Sequence, residues 1–197
     1  MRFQLIAMVL FAGCVSPKQE AEVVPECSES TWETNTSVRA LEVVSDQEIW
    51  YAGAQGAVGS TMDGGVTWRQ DTLRLVNGTF PAFRSIAVTG KAAHVLTISN
   101  PAVLFRSTDA GAHWDSVYTE HHPDVFYDSM AFWDDQEGIA MGDAIGGCLS
   151  IIITRDGGVT WNKLSCEALP AAFEGEAAFA ASNGNIAVSD SAVWIVT

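Results

Sequence analysis

From Val38 onward, apolar and polar residues alternate with a period of two in short runs, each closed by Gly, Asp, Asn or Pro. That period places successive side chains on opposite faces of an extended chain and predicts strands joined by tight turns. The runs fall into groups of four. Strands are predicted at 38–44, 49–53, 57–61 and 67–70, then at 84–89, 93–98, 103–107 and 113–118. A third group covers 129–132, 138–142, 149–154 and 160–164, and a fourth unit begins with 178–182 and 192–197.

The turn between the third and fourth strand of each complete group carries the same motif. Residues 61–68 (TMDGGVTW), 107–114 (STDAGAHW) and 154–161 (TRDGGVTW) all fit [S/T]-x-D-x-G-x-x-W, an Asp-box. Their aspartates, Asp63, Asp109 and Asp156, recur at spacings of 46 and 47 residues, so the three matches stand in register. The residue types serve a turn. The carboxylate accepts backbone N–H groups within its own loop, and the hydroxyl closes the loop from the other side. Gly65, Gly111 and Gly158 supply positive φ, and Trp68, Trp114 and Trp161 start the outgoing strand and bury an indole between sheets. These are hairpin locks rather than catalytic acids. Four short antiparallel strands per repeat describe propeller blades. The expected fold is all-β: a partial β-propeller of three to four four-stranded blades with Asp-box hairpins. About seven blades at this period need roughly 320 residues, and the chain stops before a fourth Asp-box, so a truncated half-ring is expected, with an open edge that invites self-association.

Composition adds an address. Met1-Arg2 and the apolar stretch 3–10 read as a signal peptide, too short to span a bilayer. Phe11-Ala-Gly-Cys14 looks like a lipobox, with Phe11 where Leu is usual, and Cys14 as the acylated residue. The expected organisation is a lipoprotein-type signal at 1–13, a tether and N-terminal extension at 14–36, and the propeller blades at 37–197. The product is then bacterial envelope material, lipid-anchored on the periplasmic face or secreted to the periplasm, touching membrane through Cys14 alone. Export permits disulfides. A hairpin centred near Gly157 sets Cys148 opposite Cys166, so these two are expected to be bridged, while Cys27 has no evident partner. With 24 acidic against 10 basic side chains the formal charge is −14, which disfavours nucleic acid as a partner.

The Asp-box blades, together with the strings 125–134 (VFYDSMAFWD), 138–143 (GIAMGD) and 174–182 (EGEAAFAAS), resemble the bacterial branch of the photosystem II stability/assembly factor-like family, within the wider group of BNR or Asp-box proteins. The resemblance runs from about Val38 to the C-terminus and covers the N-terminal half of a member. It implies a seven-bladed propeller fold. Its photosynthetic members are assembly chaperones for a reaction-centre subunit, associated with a basic patch. This chain has seven Arg on separate blades and an acidic balance, which points to a non-photosynthetic relative with another protein or peptide client.

Inner strands of a propeller start beside the central channel, where ligands usually sit. The residues entering them here are Arg39, Arg84 and Asp128, with Glu174 and Glu176 in the fourth unit. They are the candidate ligand-binding groups, with inter-blade salt bridges as the structural alternative. No catalytic residue, metal site or cofactor is expected. Gly53-Ala-Gln-Gly56-Ala-Val-Gly59 is no G-x-G-x-x-G and lies in a hairpin. The pair His121-His122 points apart in an extended loop, and 134–138 (DDQEG) lacks calcium-loop spacing. A glycosidase or sialidase-like protein is the second reading, carried faintly by Phe83-Arg84-Ser85-Ile86, with Tyr51, Tyr118 and Tyr127 in no recognisable nucleophile setting. An inactive remnant is the third.

Overall fold

The computed structural model describes residues 29, 31–178 and 183–197. The expected signal peptide, the acylation at Cys14, most of the tether, and Cys27 lie outside the described residues. The described residues form three four-stranded antiparallel sheets and a two-stranded hairpin. The first sheet contains β1 (Val38–Val43), β2 (Ile49–Gly53), β3 (Ala57–Thr61) and β4 (Arg69–Thr72). The second contains β5 (Phe83–Val88), β6 (Ala93–Thr97), β7 (Ala102–Ser107) and β8 (Asp115–Glu120). The third contains β9 (Tyr127–Phe132), β10 (Gly138–Ile145), β11 (Cys148–Thr154) and β12 (Asn162–Lys163). The hairpin is β13 (Ile186–Ser189) and β14 (Ala192–Ile195). Each sheet runs in simple sequence order, and the first strands β1, β5 and β9 are neighbours in space. This is the open, partial propeller expected from the sequence.

The differences lie at strand ends. Each outer strand begins two residues later than the alternation suggests, because the Asp-box consumes the backbone as far as its Trp. In the fourth unit no strand precedes residue 179, residues 179–182 are outside the described set, and the inner strand of the hairpin is β13, a segment the alternation did not single out.

The three turns repeat one hydrogen-bond network. Thr61, Ser107 and Thr154 each donate a hydroxyl hydrogen to Oδ1 of the box aspartate at 2.8–2.9 Å, and each accepts the N–H of the box glycine at 2.9 Å. The same Oδ1 accepts the backbone N–H four residues on, from Thr67, His113 and Thr160. The second oxygen takes their side chains at 2.6 Å. These bonds hold the Asp63 carboxyl down to about 2 and depress Asp109 and Asp156 likewise. Three of the carboxylate's roughly four lone-pair sites are thus taken within its own turn, which makes it a structural acceptor.

Blades dock through the same turns. Trp114 meets Trp50 of the first blade edge-on at 6.4 Å, and Trp161 meets Phe132 edge-on at 5.8 Å and His94 of the second blade at 6.4 Å. Arg69 donates to the carbonyls of Ala110 and Gly111, and Arg106 to that of Gly157. An arginine of one blade thus caps turn carbonyls of the next. His94 is fully buried against the third box, where a Cβ on Gly158 would come within 2.1 Å of its Nε2, so Gly158 is required by close approach as well as by its φ of +77°. Among the described residues no blade precedes the first box, and Trp68 stacks on Trp32 of the N-terminal extension at 5.1 Å, with Tyr51 completing the cluster. Thr36 and Ser37 fasten that extension to Ala54.

Cys148 and Cys166 are bonded, with Cα atoms 5.4 Å apart. The bridge is made differently from the ladder argument. Ile152 faces Lys163 and Ile153 faces Asn162, and β12 ends there, so Cys166 lies in a short 3-10 turn that folds back over β11.

Two expected outcomes follow from these contacts. Ala110 occupies φ +55°, where the other boxes have Gly64 and Gly157, so Ala110→Gly is expected to stabilise the chain by about 0.5–1 kcal/mol, read as a higher Tm. Burial depresses His94 to about 4 from 6.5. Its stabilising contribution is therefore complete above pH 6.5 and is lost as pH falls through 4, and the stability advantage of the wild type over His94→Gln should shrink by about 3 kcal/mol between pH 7 and pH 4 in denaturant titrations.

Candidate functional site

The ladder between the first and second strand is interrupted at the same place in all three blades. Val38 faces Gly53 and Ala40 faces Ala52, skipping Arg39. Phe83 faces Thr97 and Ser85 faces Leu96, skipping Arg84. Tyr127 faces Gly142 and Ser129 faces Met141, skipping Asp128. A bulged residue leaves the pleat and its side chain is re-aimed. Arg39, Arg84 and Asp128 are thus equivalent positions on successive first strands, each re-aimed out of the pleat of its sheet.

A fourth bulge sits beside the third. On β10, Gly142 faces Ser150 and Ala144 faces Leu149, skipping Asp143. Gly142 lets the strands close here, since a Cβ would come within 2.1 Å of the Phe126 carbonyl oxygen. The Asp143 N–H donates to that same carbonyl at 2.9 Å. Asp143 is half-buried, and its Oδ1 accepts the N–H of Ala178 at 2.9 Å.

Asp128 is fully buried, and neither of its carboxylate oxygens has a hydrogen-bond partner. Burial first, then the like charge of Asp143, push its carboxyl up to about 7, with the Arg84 guanidinium pulling the other way. Arg84 makes no ion pair within 4 Å among the described residues and sits over the Phe126 ring at 5.5 Å. Arg39 is exposed and borders a groove of about 460 Å³ shared with Glu42 and Asn183. Asn183 begins a 3-10 turn (Asn183–Asn185) lying across β1, β5 and β9. Its Nδ2 donates to the Ile86 carbonyl at 2.8 Å and its Oδ1 accepts the Met130 N–H at 3.2 Å. One side chain thus joins the inner strands of the second and third blades.

The structure therefore brings Arg84, Asp128 and Asp143 together, with Arg39 on the adjoining groove. Neither Glu174 nor Glu176 joins this group. Glu174 is exposed, and Glu176 accepts from the Phe173 N–H and the Thr197 hydroxyl. No ion pair joins either to Arg39 or Arg84 among the described residues. The carboxylate that does meet Asp128 comes from β10, and the sequence signal for it was the Gly142-Asp143 pair inside a strand, a common mark of a bulge.

Tyr118 and Tyr127 share one acceptor. Both phenols donate to Glu120 Oε2, at 2.8 and 2.9 Å, and Lys163 donates to Oε1. Burial pushes Tyr118 up to about 12 and Tyr127 higher still. A nucleophilic phenol needs the opposite shift, so this set reads as a bracket between the second and third blades. Asp134 accepts the N–H groups of Gln136 and Glu137 within its own turn.

A family model described as photosynthesis system II assembly factor YCF48 matches residues 23–125. The photosystem II assembly lipoprotein Ycf48 of Synechococcus sp. (strain CC9902) is 25% identical over 163 residues, 80% of this chain and 45% of the relative. A solved structure of YCF48 bound to D1 peptide aligns with a TM-score of 0.53 at 19% identity, over 71% of this chain and 45% of that one. YCF48 from Cyanidioschyzon merolae aligns with a TM-score of 0.49 at 22% identity, over 68% and 38%. The chain thus spans less than half the length of these relatives.

With its ordinary value at 3.8 and its folded value near 7, Asp128 favours folding fully below pH 3.8 and loses that contribution as pH rises through 7. Asp128→Asn is accordingly expected to gain stability over the wild type as pH rises from 5 to 8, by on the order of 2–3 kcal/mol, the share of the linkage that falls within that window. Thermal melts across that range check the sign.

Proposed function

The chain belongs to the family of photosystem II assembly factors described as YCF48, whose model covers more than half of its residues, and on that premise we propose that it binds a peptide segment of a client protein at the channel end of its inner strands. The observation carrying this reading is the bulge repeated at Arg39, Arg84 and Asp128. It costs three blades a ladder position each and turns two guanidiniums and a carboxylate toward one end, a spacing suited to the alternating polar groups of an extended peptide. Guanidinium forks recognise carboxylates or backbone carbonyls, and the neighbouring Asn183 adds amide chemistry. The YCF48 structure that carries a D1 peptide supports a peptide as the ligand class.

Binding without catalysis is part of the proposal, because the one tyrosine–carboxylate set is tuned away from nucleophilicity. So is attachment to the cell envelope through acylated Cys14, which the lipoprotein character of the Synechococcus relative supports. The free face of the first blade exposes Leu41 and Val43, and β14 with its flank exposes Trp194 and Val196. Further blades or a second chain would dock there.

Fluorescence anisotropy of the full chain with labelled D1 peptide as the probe tests the reading. Binding is expected, weakened tenfold or more, about 1.4 kcal/mol, by Arg84→Ala, with the circular-dichroism melt unchanged. Equal binding by wild type and variant, or by a scrambled peptide, would remove the channel end from consideration.

A further inference from the structure

Asp128 poses a problem that the peptide-binding proposal leaves open. Its carboxylate is buried, both oxygens lack partners, and the nearest charged group on the next strand is another carboxylate. A buried ion without compensation is costly, and the cost is relieved by a proton or by a cation that reaches the pair. The local backbone is shaped to keep the arrangement. Two bulges on adjacent strands aim both acids out of the pleat, on either side of the Tyr127–Gly142 pair, where Gly142 permits the close approach of β10 to the Phe126 carbonyl. Arg84, the one cation that influences Asp128, stays over Phe126 without closing an ion pair.

We propose that Asp128 and Asp143 form a subsite for one primary ammonium group, supplied by a lysine side chain or a free amino terminus of the bound client. The geometry of the pair carries the subsite, while its source in a client peptide rests on the function proposed above. An ammonium brings three N–H donors. Asp128 offers two empty acceptors, and Asp143, with Oδ1 held by Ala178, is the half-exposed side from which the pair is reached. A divalent metal fits less well. It needs six or more oxygens or a third strong ligand, and no cluster of three His, Cys, Asp or Glu exists among the described residues. The charge of −14 draws cations to the chain in general.

Binding is coupled to a proton, because the cation favours the ionised form of Asp128. The groups that face it are Asp143 from β10 and Arg84 from β5. The Asn183–Asn185 turn and β13, both packed on β9, bring no titratable side chain. On β1, Arg39 and Glu42 lie along the adjoining groove, and His94 of β6 meets β9 at its far end, stacked on Phe132.

Isothermal titration calorimetry of the full chain with three probes tests this: Nα-acetyl-lysine methylamide, glycine methylamide and the uncharged Nα-acetyl-norleucine methylamide. At least one amine is expected to bind, with affinity rising roughly tenfold from pH 6 to pH 8 as Asp128 ionises, and the norleucine derivative is expected not to. The lysine and glycine arms tell a side chain from an amino terminus. Asp128→Asn should remove the pH dependence and weaken the amine at least tenfold. Arg84→Gln should tighten it several-fold by removing a competing cation, a gain that misfolding does not produce and opposite to its expected effect on D1 peptide. Equal binding of the norleucine derivative, displacement of the amine by equimolar calcium or potassium, or an affinity flat in pH and indifferent to Asp128→Asn would each overturn the subsite. Amine binding lost with peptide binding kept sinks this inference alone, and the reverse result sinks only the peptide reading.

Discussion

The fold depends on one carboxylate used three times. In each Asp-box the aspartate gathers a hydroxyl, a backbone N–H and a second side chain within 2.6–2.9 Å, which closes a loop containing two consecutive residues in the left-handed region. The network fixes where the outgoing strand starts and which face its tryptophan takes. It also leaves the carbonyls of the box turned outward, and Arg69 and Arg106 of the preceding blades bind them. Turn, sheet and blade docking therefore share a single polar element. Charge-assisted bonds of this kind are short and directional, which explains how sheets of two to eight residues per strand keep a common orientation.

The apolar half of the design is continuous with it. Three hydrophobic clusters lie between successive sheets, the first around Trp50, Phe83 and Phe105, the second around Tyr127, Leu104 and Trp161, the third around Met141, Ile151 and Ile186. The second and third sheets are thus buried on both faces, which is why a strand such as β6 is buried at every position. At the first blade, Trp32 from the extension takes the place beside Trp68 that a neighbouring blade's side chains take elsewhere. Stacking an indole there covers apolar area that the open sheet would otherwise expose.

Against this regular frame the beginnings of the first strands are irregular by construction. The bulges at Arg39, Arg84, Asp128 and Asp143 break the ladder where a closed sheet would have been more stable. Asp128 adds an unsatisfied buried charge, and Asn183 stitches two inner strands through their backbones. Features that cost stability, gathered in one place on a scaffold otherwise well satisfied, are what the proposed binding site rests on.

Much of the architecture was legible in the chain alone. A period of two, a fixed motif at 46–47 residues and the turn chemistry of Asp and Gly are local, so they specify hairpins, blade count and the positions entering the inner strands before any packing is known. Arg39, Arg84 and Asp128 were reachable that way. The ends of the outer strands were not, because alternation continues through a turn whose hydrogen bonds have already withdrawn those residues from the ladder. Nor could the pattern show that Asp143, rather than Glu174 or Glu176, stands beside Asp128. That choice was made by a bulge and by the missing Cβ of Gly142, which let two strands close to a distance that sequence spacing does not encode. The burial that strips Asp128 of water, and the neighbours that set its charge, belong to several strands at once. They exist only when the blades have come together.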